Sequence, residues 1–418
     1  MDSTARSPGG EFDAVIVGAG SAGLMAAWTL GQAGWNTLLV ERHRELPRSV
    51  CGEYLSPAGV RTVRDAGLSD LLSGWKPVHG MRLVSPAGRV VPCFFPEESP
   101  GGLSVDKRRF HEALLEQAVA SGVSVEFGAT ATVAAAPARS EQEWCIALGS
   151  GDRGSVVRTR LLLAADGRRS SIARSAGLAL ELGRHARGRI AIRGFVEFEG
   201  EPERLGEMHV LIGGAYVGVN PVQRDEVNVS LVCGRDQVRE CGGPSQALAD
   251  HIDRATDLRS RVVSGSLREV RGVTPISSRV RSPVAVGLAL LGDAGGFVDP
   301  LTGEGITVAL ATGRAAALAV IDGRRRGDDL QSALQRYARE RRKMYRAKSG
   351  VSLAFQWIIR RPWVCEAIGG YLEADERRRR GFIGVVGNDY TPIAGLLSMC
   401  GLDPRGAGFG VRRRSDRG

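Results

Sequence analysis

Phe12-Asp13-Ala14-Val15-Ile16-Val17-Gly18-Ala19-Gly20-Ser21-Ala22-Gly23 decides how the remainder of this 418-residue chain is read. Ala14 to Val17 is a continuous apolar run of buried-strand type, and Ser21 to Ala33 follows with helical character. Gly34 ends that helix, and Asn36-Thr37-Leu38-Leu39-Val40-Glu41-Arg42 returns as a second strand. The expected unit is strand, helix, strand, with the strands parallel. Within it Gly18 permits the tight turn, Gly20 lets a pyrophosphate approach the backbone, and Gly23 lets helix and strand pack closely. The helix N-terminus, through the backbone from Ala19 to Ala22, offers N–H groups and a positive dipole end to phosphate. Glu41 follows at about twenty residues, where a carboxylate can accept from ribose hydroxyls. The stretch predicts a dinucleotide site.

Two later segments sharpen this. Ala164-Ala165-Asp166-Gly167-Arg168 ends a buried strand, with Ser170 and Ser171 opening the next helix. Alone it reads as an ordinary turn. The third segment runs from Gly292-Asp293-Ala294-Gly295-Gly296 through Asp299-Pro300-Leu301-Thr302 to Gly303-Glu304-Gly305-Ile306. Asp293, at the end of a core strand, can hold a sugar-chain hydroxyl. The glycines around Glu304 let a helix begin directly against a flat ring, where its N–H groups stabilise negative charge at N1 and O2 of a reduced flavin. The dinucleotide is therefore expected to be FAD.

Composition limits the alternatives. Hydrophobic residues make up 43% and charged residues 24%, as in ordinary globular chains. The net charge of +10 lies largely in short runs at 324–326, 339–346 and 377–380, read as solvated faces of C-terminal helices. No aromatic-interleaved basic motif accompanies them, so no nucleic-acid partner is expected. Seven scattered cysteines without a CxxC pair, and six histidines without ligand spacing, predict neither a disulfide framework nor a metal site. With no signal core and no run of about eighteen apolar residues, the expected location is cytoplasmic.

The expected fold class is α/β: a Rossmann-like FAD-binding lobe built discontinuously, an inserted antiparallel-sheet substrate lobe, and a helical C-terminal tail. Residues 1–11 read as a disordered leader. The FAD lobe is assigned to 12–74, 106–187 and 274–340, the sheet lobe to 75–105 and 188–273, and the helical region to 341–418. A helix over Asp106 to Ser121 is expected to bury Phe110, Leu114, Leu115 and Val119 on one face.

The three motifs, in this order, resemble the flavoprotein fold of p-hydroxybenzoate hydroxylase. Within it the chain is most similar to the geranylgeranyl-reductase-like flavoproteins, through Cys51-Gly52-Glu53-Tyr54-Leu55-Ser56-Pro57 and Asp299-Pro300-Leu301-Thr302-Gly303-Glu304-Gly305-Ile306. The resemblance implies that Gly18 to Ala22 and Glu41-Arg42 bind the ADP half and Asp293 the sugar chain. It further implies that Pro300 and Gly303 to Ile306 border the isoalloxazine, and that Cys51-Gly52 line the ring. Asp166-Gly167 would serve the cofactor and a passing nicotinamide, and Lys107 and Arg108 share a position where the family carries Arg. Isoprenoid reductases carry a YxWxFP motif along their lipid channel; here Tyr216-Val217-Gly218-Val219-Asn220-Pro221 lacks the Trp and Phe. The WxWxIP motif of flavin halogenases is absent. No second GxGxxG unit precedes a helix, so NAD(P)H is expected as a transient reductant.

Cys51, Glu53 and Pro300 are the candidate catalytic residues beside the ring. Arg48 is a candidate to lower the pKa of the Cys51 thiol, and Glu53 is either a substrate-side acid or a turn-stabilising carboxylate. Between 351 and 372 a stripe of Phe355, Trp357, Ile358, Ile359, Trp363, Val364, Ile368 and Leu372 either packs on the protein or meets a membrane surface weakly. The leading expectation is an FAD-dependent monooxygenase or dehydrogenase acting on a hydrophobic small molecule such as a polyketide-type phenol. Reduction of isoprenoid or quinone side-chain double bonds is the alternative, and a non-catalytic electron carrier stands third.

Overall fold

The structure is a computed structural model that describes residues 10–400 apart from 140–141, 151–152 and 224–225. Its first sheet runs in the order Val284–Ala285, Leu288–Leu290, Arg153–Ala164, Glu11–Val17, Thr37–Glu41, Ser124–Phe127. From Leu288–Leu290 to Ser124–Phe127 every pairing is parallel. An antiparallel branch, Trp144–Ser150 and Thr130–Ala135, leaves Arg153–Ala164. Glu11–Val17 lies in the middle, so both its faces are covered: Ala14 and Ile16 join one core cluster, Val15 and Val17 another. That accounts for its unbroken apolar run. The Ser21–Gln32 and Gly305–Arg326 helices cross on one face. A Cβ at Gly313 would stand 2.2 Å from the Ala22 carbonyl oxygen, so only glycine permits that approach. Gly305–Arg326 is long and apolar enough to cross a membrane, yet 61% of its apolar stretch is buried inside the protein, as befits a core helix.

A seven-stranded sheet runs Arg268–Val273, Arg189–Glu197, Glu226–Gly234, Tyr216–Gln223, Gly206–Val210, Gly80–Val84, Val90–Phe94. All its pairings are antiparallel except that of Gly206–Val210 with Gly80–Val84. Ile192, Val217, Val229 and Leu231 pack against Ala247, Leu248 and Ile252 of the Pro244–Arg254 helix. The opposite face turns Ala191, Tyr216 and Val232 toward Leu301 and Ile359. The fold is thus the expected α/β architecture.

Four details depart from expectation. Glu11, assigned to the leader, pairs with Arg158 in the first sheet; residues 1–9 lie outside the described ones. The 340/341 boundary falls inside one continuous helix, Leu330–Ile358. Within that helix Arg341 is not solvated: it is 2% exposed and its Nη2 donates to the carbonyls of Gly292 and Gly296 at 3.1 and 3.3 Å. A charge run hid it, because sequence does not show which arginine of a run faces inward. In the Lys107–Ala120 helix Val119 is exposed, and the buried face is Phe110, His111, Leu114 and Ala118. This is the i, i+4 row that a histidine interrupted in the apolar pattern.

Candidate active site

The three glycines of the first turn occupy three different environments. Gly18 has φ +103°, and a Cβ on it would stand 2.5 Å from the Ala165 carbonyl oxygen. A Cβ on Gly23 would stand 1.9 Å from the Gly18 oxygen, so this glycine is required by helix–strand packing. Over Gly20 nothing lies within 4 Å. It is the N-cap of the Ser21–Gln32 helix, and no side chain caps the N–H groups there. This leaves the backbone at Gly20 without a covering side chain, as a diphosphate approaching the helix start would require. Glu41 Oε2 accepts the Ala19 N–H at 2.9 Å and Oε1 the His43 N–H at 3.0 Å, which fixes the carboxylate beside the turn. Ser21 Oγ lies 2.7 Å from His111 Nε2. Burial pushes His111 down to about 3, so this partner is a neutral imidazole. Arg42 is exposed, and Ala22 is buried.

Asp166 does local work in this structure. Its Oδ2 accepts the Ser171 and Ile172 N–H groups at 2.8 and 3.3 Å, capping the Ser171–Ser175 helix, and Gly167 turns the chain at φ +79°. Its Oδ1 is buried and unpartnered. Asp293 stands across from it in the Gly292–Gly295 turn, 3.4 Å from Arg168 Nε, with its carboxyl pKa raised by burial. Arg341 and Tyr345 hold this turn from below through the carbonyl of Gly296.

At the far end the Gly303 turn (φ +68°) leads through buried Glu304 into the Gly305–Arg326 helix. A Cβ on Gly305 would meet nothing within 4 Å, while Ile306 is 3% exposed. The backbone at Gly305 is thus uncovered at the helix start, and Pro300 is half-buried before it. The 51–57 segment faces this helix. Cys51 is half-buried and accepts the Asn228 Nδ2 hydrogen at its carbonyl, at 3.0 Å, and Gly52 meets only Ser230 Oγ at 4.0 Å. Arg48 turns away to a bidentate pair with Glu269 at 2.7 Å, so it is not the neighbour of Cys51 that the sequence suggested.

Glu53 adopts φ +54°, a left-handed conformation that a non-glycine residue keeps only when its surroundings impose it. Its carbonyl is held by the Val105 N–H and Asn220 Nδ2, each at 2.9 Å. Burial pushes its carboxyl up to about 7, against the opposing charges of Arg193 and Lys107. Lys107 and Arg108 separate cleanly. Lys107 Nζ donates to Ser49 Oγ at 2.8 Å, and its charge reaches Glu53 and Asp293. Arg108 pairs outward with Glu112 and Glu45 at 2.9 and 3.2 Å. Lys107 is the one directed at the site.

Sequence reading missed the sheet's contribution. Asn220, Asn228 and Arg193 stand over the 51–53 loop from three strands. Tyr216 donates to Asp299, which also receives Gln356 Nε2 at 2.8 Å and lies 3.5 Å from Arg189 Nη1. Their polar residue types inside apolar strands were the only signal. On the other side of the sheet Glu207, His209 and Asp257 draw together, but Arg82 and Arg261 already bind the carboxylates at 2.6–2.8 Å. That cluster is a buried ion-pair network.

The sequence pattern of the FAD binding domain family matches residues 11–349. The chain belongs to that family. This flavoprotein is 31% identical over 346 residues to digeranylgeranylglycerophospholipid reductase 1 of Methanopyrus kandleri, covering 78% of the chain and 85% of that relative. It is 28% identical over 317 residues to menaquinone reductase of Mycobacterium tuberculosis, covering 73% and 75%. The crystal structure of a flavoprotein/dehydrogenase from Cytophaga hutchinsonii superposes with a TM-score of 0.75 at 18% identity, over 90% of this chain and 92% of that one. That likeness shows the shared fold. The protein is an FAD-dependent oxidoreductase.

The flavoprotein has an apolar cavity of about 110 Å³ whose lining includes Leu301, in the segment that leads to the Gly303 turn. Met81, Leu83, Met208 and Val210 form its floor on the sheet, and Phe355, Ile359, Ile368 and Leu372 its roof. Ser85 and Arg89 bring polar side chains and Cys365 a thiol to its walls.

Proposed function

We propose that this flavoprotein reduces a carbon–carbon double bond in the isoprenoid chain of an amphipathic lipid or quinone, with NAD(P)H as transient reductant. The observation that carries this reading is the apolar cavity that Leu301 helps to line, since its walls suit a hydrocarbon chain. The similarity to the two reductases supports it. Saturating an alkene requires a hydride and a proton, and a bound flavin supplies the hydride. A Cβ on Gly20 or Gly305 would meet nothing within 4 Å, clearance that the cofactor's diphosphate and ring would use, and the charge of Lys107 reaches Asp293. Glu53, on the loop read as lining the ring and with its pKa pushed up to about 7 by burial, is suited to deliver the proton. Asn220 stands where the isoprenoid reductases have Phe, and here it tethers the Glu53 loop instead of lining a channel.

Hydroxylation of a phenol is a second reading, favoured by the polar groups Glu53, Arg193 and Asn228 at the ring end of the sheet. One experiment separates the two. Purified holoenzyme with NAD(P)H is given prenylated quinones and phenols, with and without oxygen, and products are weighed. A gain of two hydrogens without oxygen supports reduction; a gain of one oxygen atom, dependent on oxygen, replaces it with hydroxylation.

The outer face of the C-terminal helices exposes Leu353, Trp357 and Trp363, with Arg361 stacked 4.1 Å over Trp357. This supports weak contact with a membrane surface, from which such a substrate would come. Seven free cysteines agree with a cytoplasmic location.

A further inference from the structure

Leu83, Met208, Gly218, Ser230 and Arg193 stand side by side across five neighbouring strands, paired in register. Residues so paired point to one face of a sheet. At about 4.8 Å per strand the row spans roughly 19 Å. Its first two members are apolar and line the cavity. Its last is a guanidinium 1% exposed. Between them Gly218 carries no side chain, and a Cβ there would meet only two backbone oxygens, at 3.8 and 4.0 Å. The row is a saddle joining an apolar end to a charged one.

Arg193 is incompletely satisfied. Its Nε and Nη1 are buried with no hydrogen-bond partner, and its guanidinium lies 4.4 Å from the centre of the Phe195 ring. Glu53 feels its charge without accepting from those two nitrogens. Leaving donors of a buried cation unpaired is unfavourable, because the lost hydration is not replaced. The Phe195 ring and the charges of Glu53 and Glu269 offset part of that cost, but no protein acceptor meets the two nitrogens. Ser230 Oγ is already committed as a donor to Asn228 Oδ1 at 3.0 Å, so the free donors in this corner belong to Arg193.

We propose that Arg193 is the head-group site of the substrate, taking an oxyanion of carboxylate or phenolate type, while the apolar tail crosses Gly218 into the cavity under the C-terminal helices. The ligand class is an acidic amphiphile. For the tail this rests on the cavity reading above; the head-group contact is measured without turnover, so the two stand or fall separately.

The test uses the FAD-loaded protein and two probes with one chain, farnesoic acid and farnesol, titrated through the absorbance change of the bound flavin. The acid is expected to bind about tenfold or more tightly than the alcohol, the size of a charge-assisted contact. Arg193→Met abolishes the preference, and Arg193→Gln replaces it where the Met variant does not fold. Leu83→Trp, which fills the apolar cavity, weakens both probes by a similar factor and preserves the preference. Equal binding of acid and alcohol by the unaltered protein overturns the proposal without any variant, as does a preference that survives loss of Arg193. Retained acid preference in a protein that reduces no prenyl chain keeps the head-group site and removes the reductase reading.

Discussion

Ser56 Oγ lies 2.8 Å from Thr307 Oγ1, and the two residues are 1% and 2% exposed. The contact joins segments 251 positions apart: the loop carrying Cys51, Gly52 and Glu53, and the helix that starts at the ring position. Loop and helix are thereby set at a fixed distance before a cofactor arrives. Removing one hydroxyl strands the other, so Ser56→Ala and Thr307→Val each cost about 1–3 kcal/mol, while the double variant costs less than their sum. Urea unfolding of the four proteins in the cycle measures this. Additive losses would mean that the two hydroxyls do not share a bond.

Gly20 and Gly23 belong to one motif but fail differently. Alanine at Gly23 puts a methyl 1.9 Å from the Gly18 oxygen, so the turn itself must move. Alanine at Gly20 meets no protein atom, but occupies the opening left for the diphosphate. Gly23→Ala is expected to lower the melting temperature of the apoprotein, whereas Gly20→Ala leaves it within about 0.5 kcal/mol of the parent in stability and loses FAD. Apoprotein melting and FAD titration, run together, check the contrast.

Lys107 and Arg108 offer a third test. Lys107 points inward to Ser49, and Arg108 outward to Glu112 and Glu45. Exposed pairs contribute about 0–1 kcal/mol, so Arg108→Met should change neither FAD affinity nor the flavin midpoint potential. Lys107→Met removes a cation whose charge reaches Asp293 and Glu53. It should weaken FAD binding and lower the midpoint potential, because the reduced flavin loses a nearby positive charge. Spectroelectrochemical titration of the two variants decides which basic residue serves the cofactor.

The geometry of the glycine turn was legible because it is made by backbone: glycine spacing, a strand end and a helix start leave marks at fixed offsets. Glu41 could be placed for the same reason. The ring-facing wall was less legible. Arg193, Asn220 and Asn228 come from strands whose facing cannot be read without the register, and one residue of slip would turn all three to the Pro244–Arg254 side. Arg341 was lost in a run of like charges. The Lys107–Arg108 ambiguity had the same root, since adjacent helical residues point about 100° apart and only packing says which is inside.

Glu53 gives the sharpest dependence on pH. Burial raises its folded-state pKa from 4.5 to about 7, so the folded protein holds this proton more tightly than the unfolded chain does. The resulting stability is complete below about pH 4.5 and is lost as pH rises through about 7, where the fold must carry a buried carboxylate. Glu53→Gln keeps the shape and the left-handed turn but never ionises. At about pH 8 the variant should therefore exceed the parent in unfolding free energy by something on the order of 3 kcal/mol, and at about pH 4 the two should coincide. Other groups titrate alike in both proteins and cancel from the difference. If Glu53 also supplies the proton of the reaction, the more stable variant is the slower one, with turnover down about a hundredfold or more. Denaturant titrations at the two pH values read the first effect, and rates across pH 6 to 9 read the second. A variant less stable than the parent at both pH values would mean that the carboxylate is held in its charged form by Arg193, and Glu53 would then be an acceptor for the guanidinium and no acid.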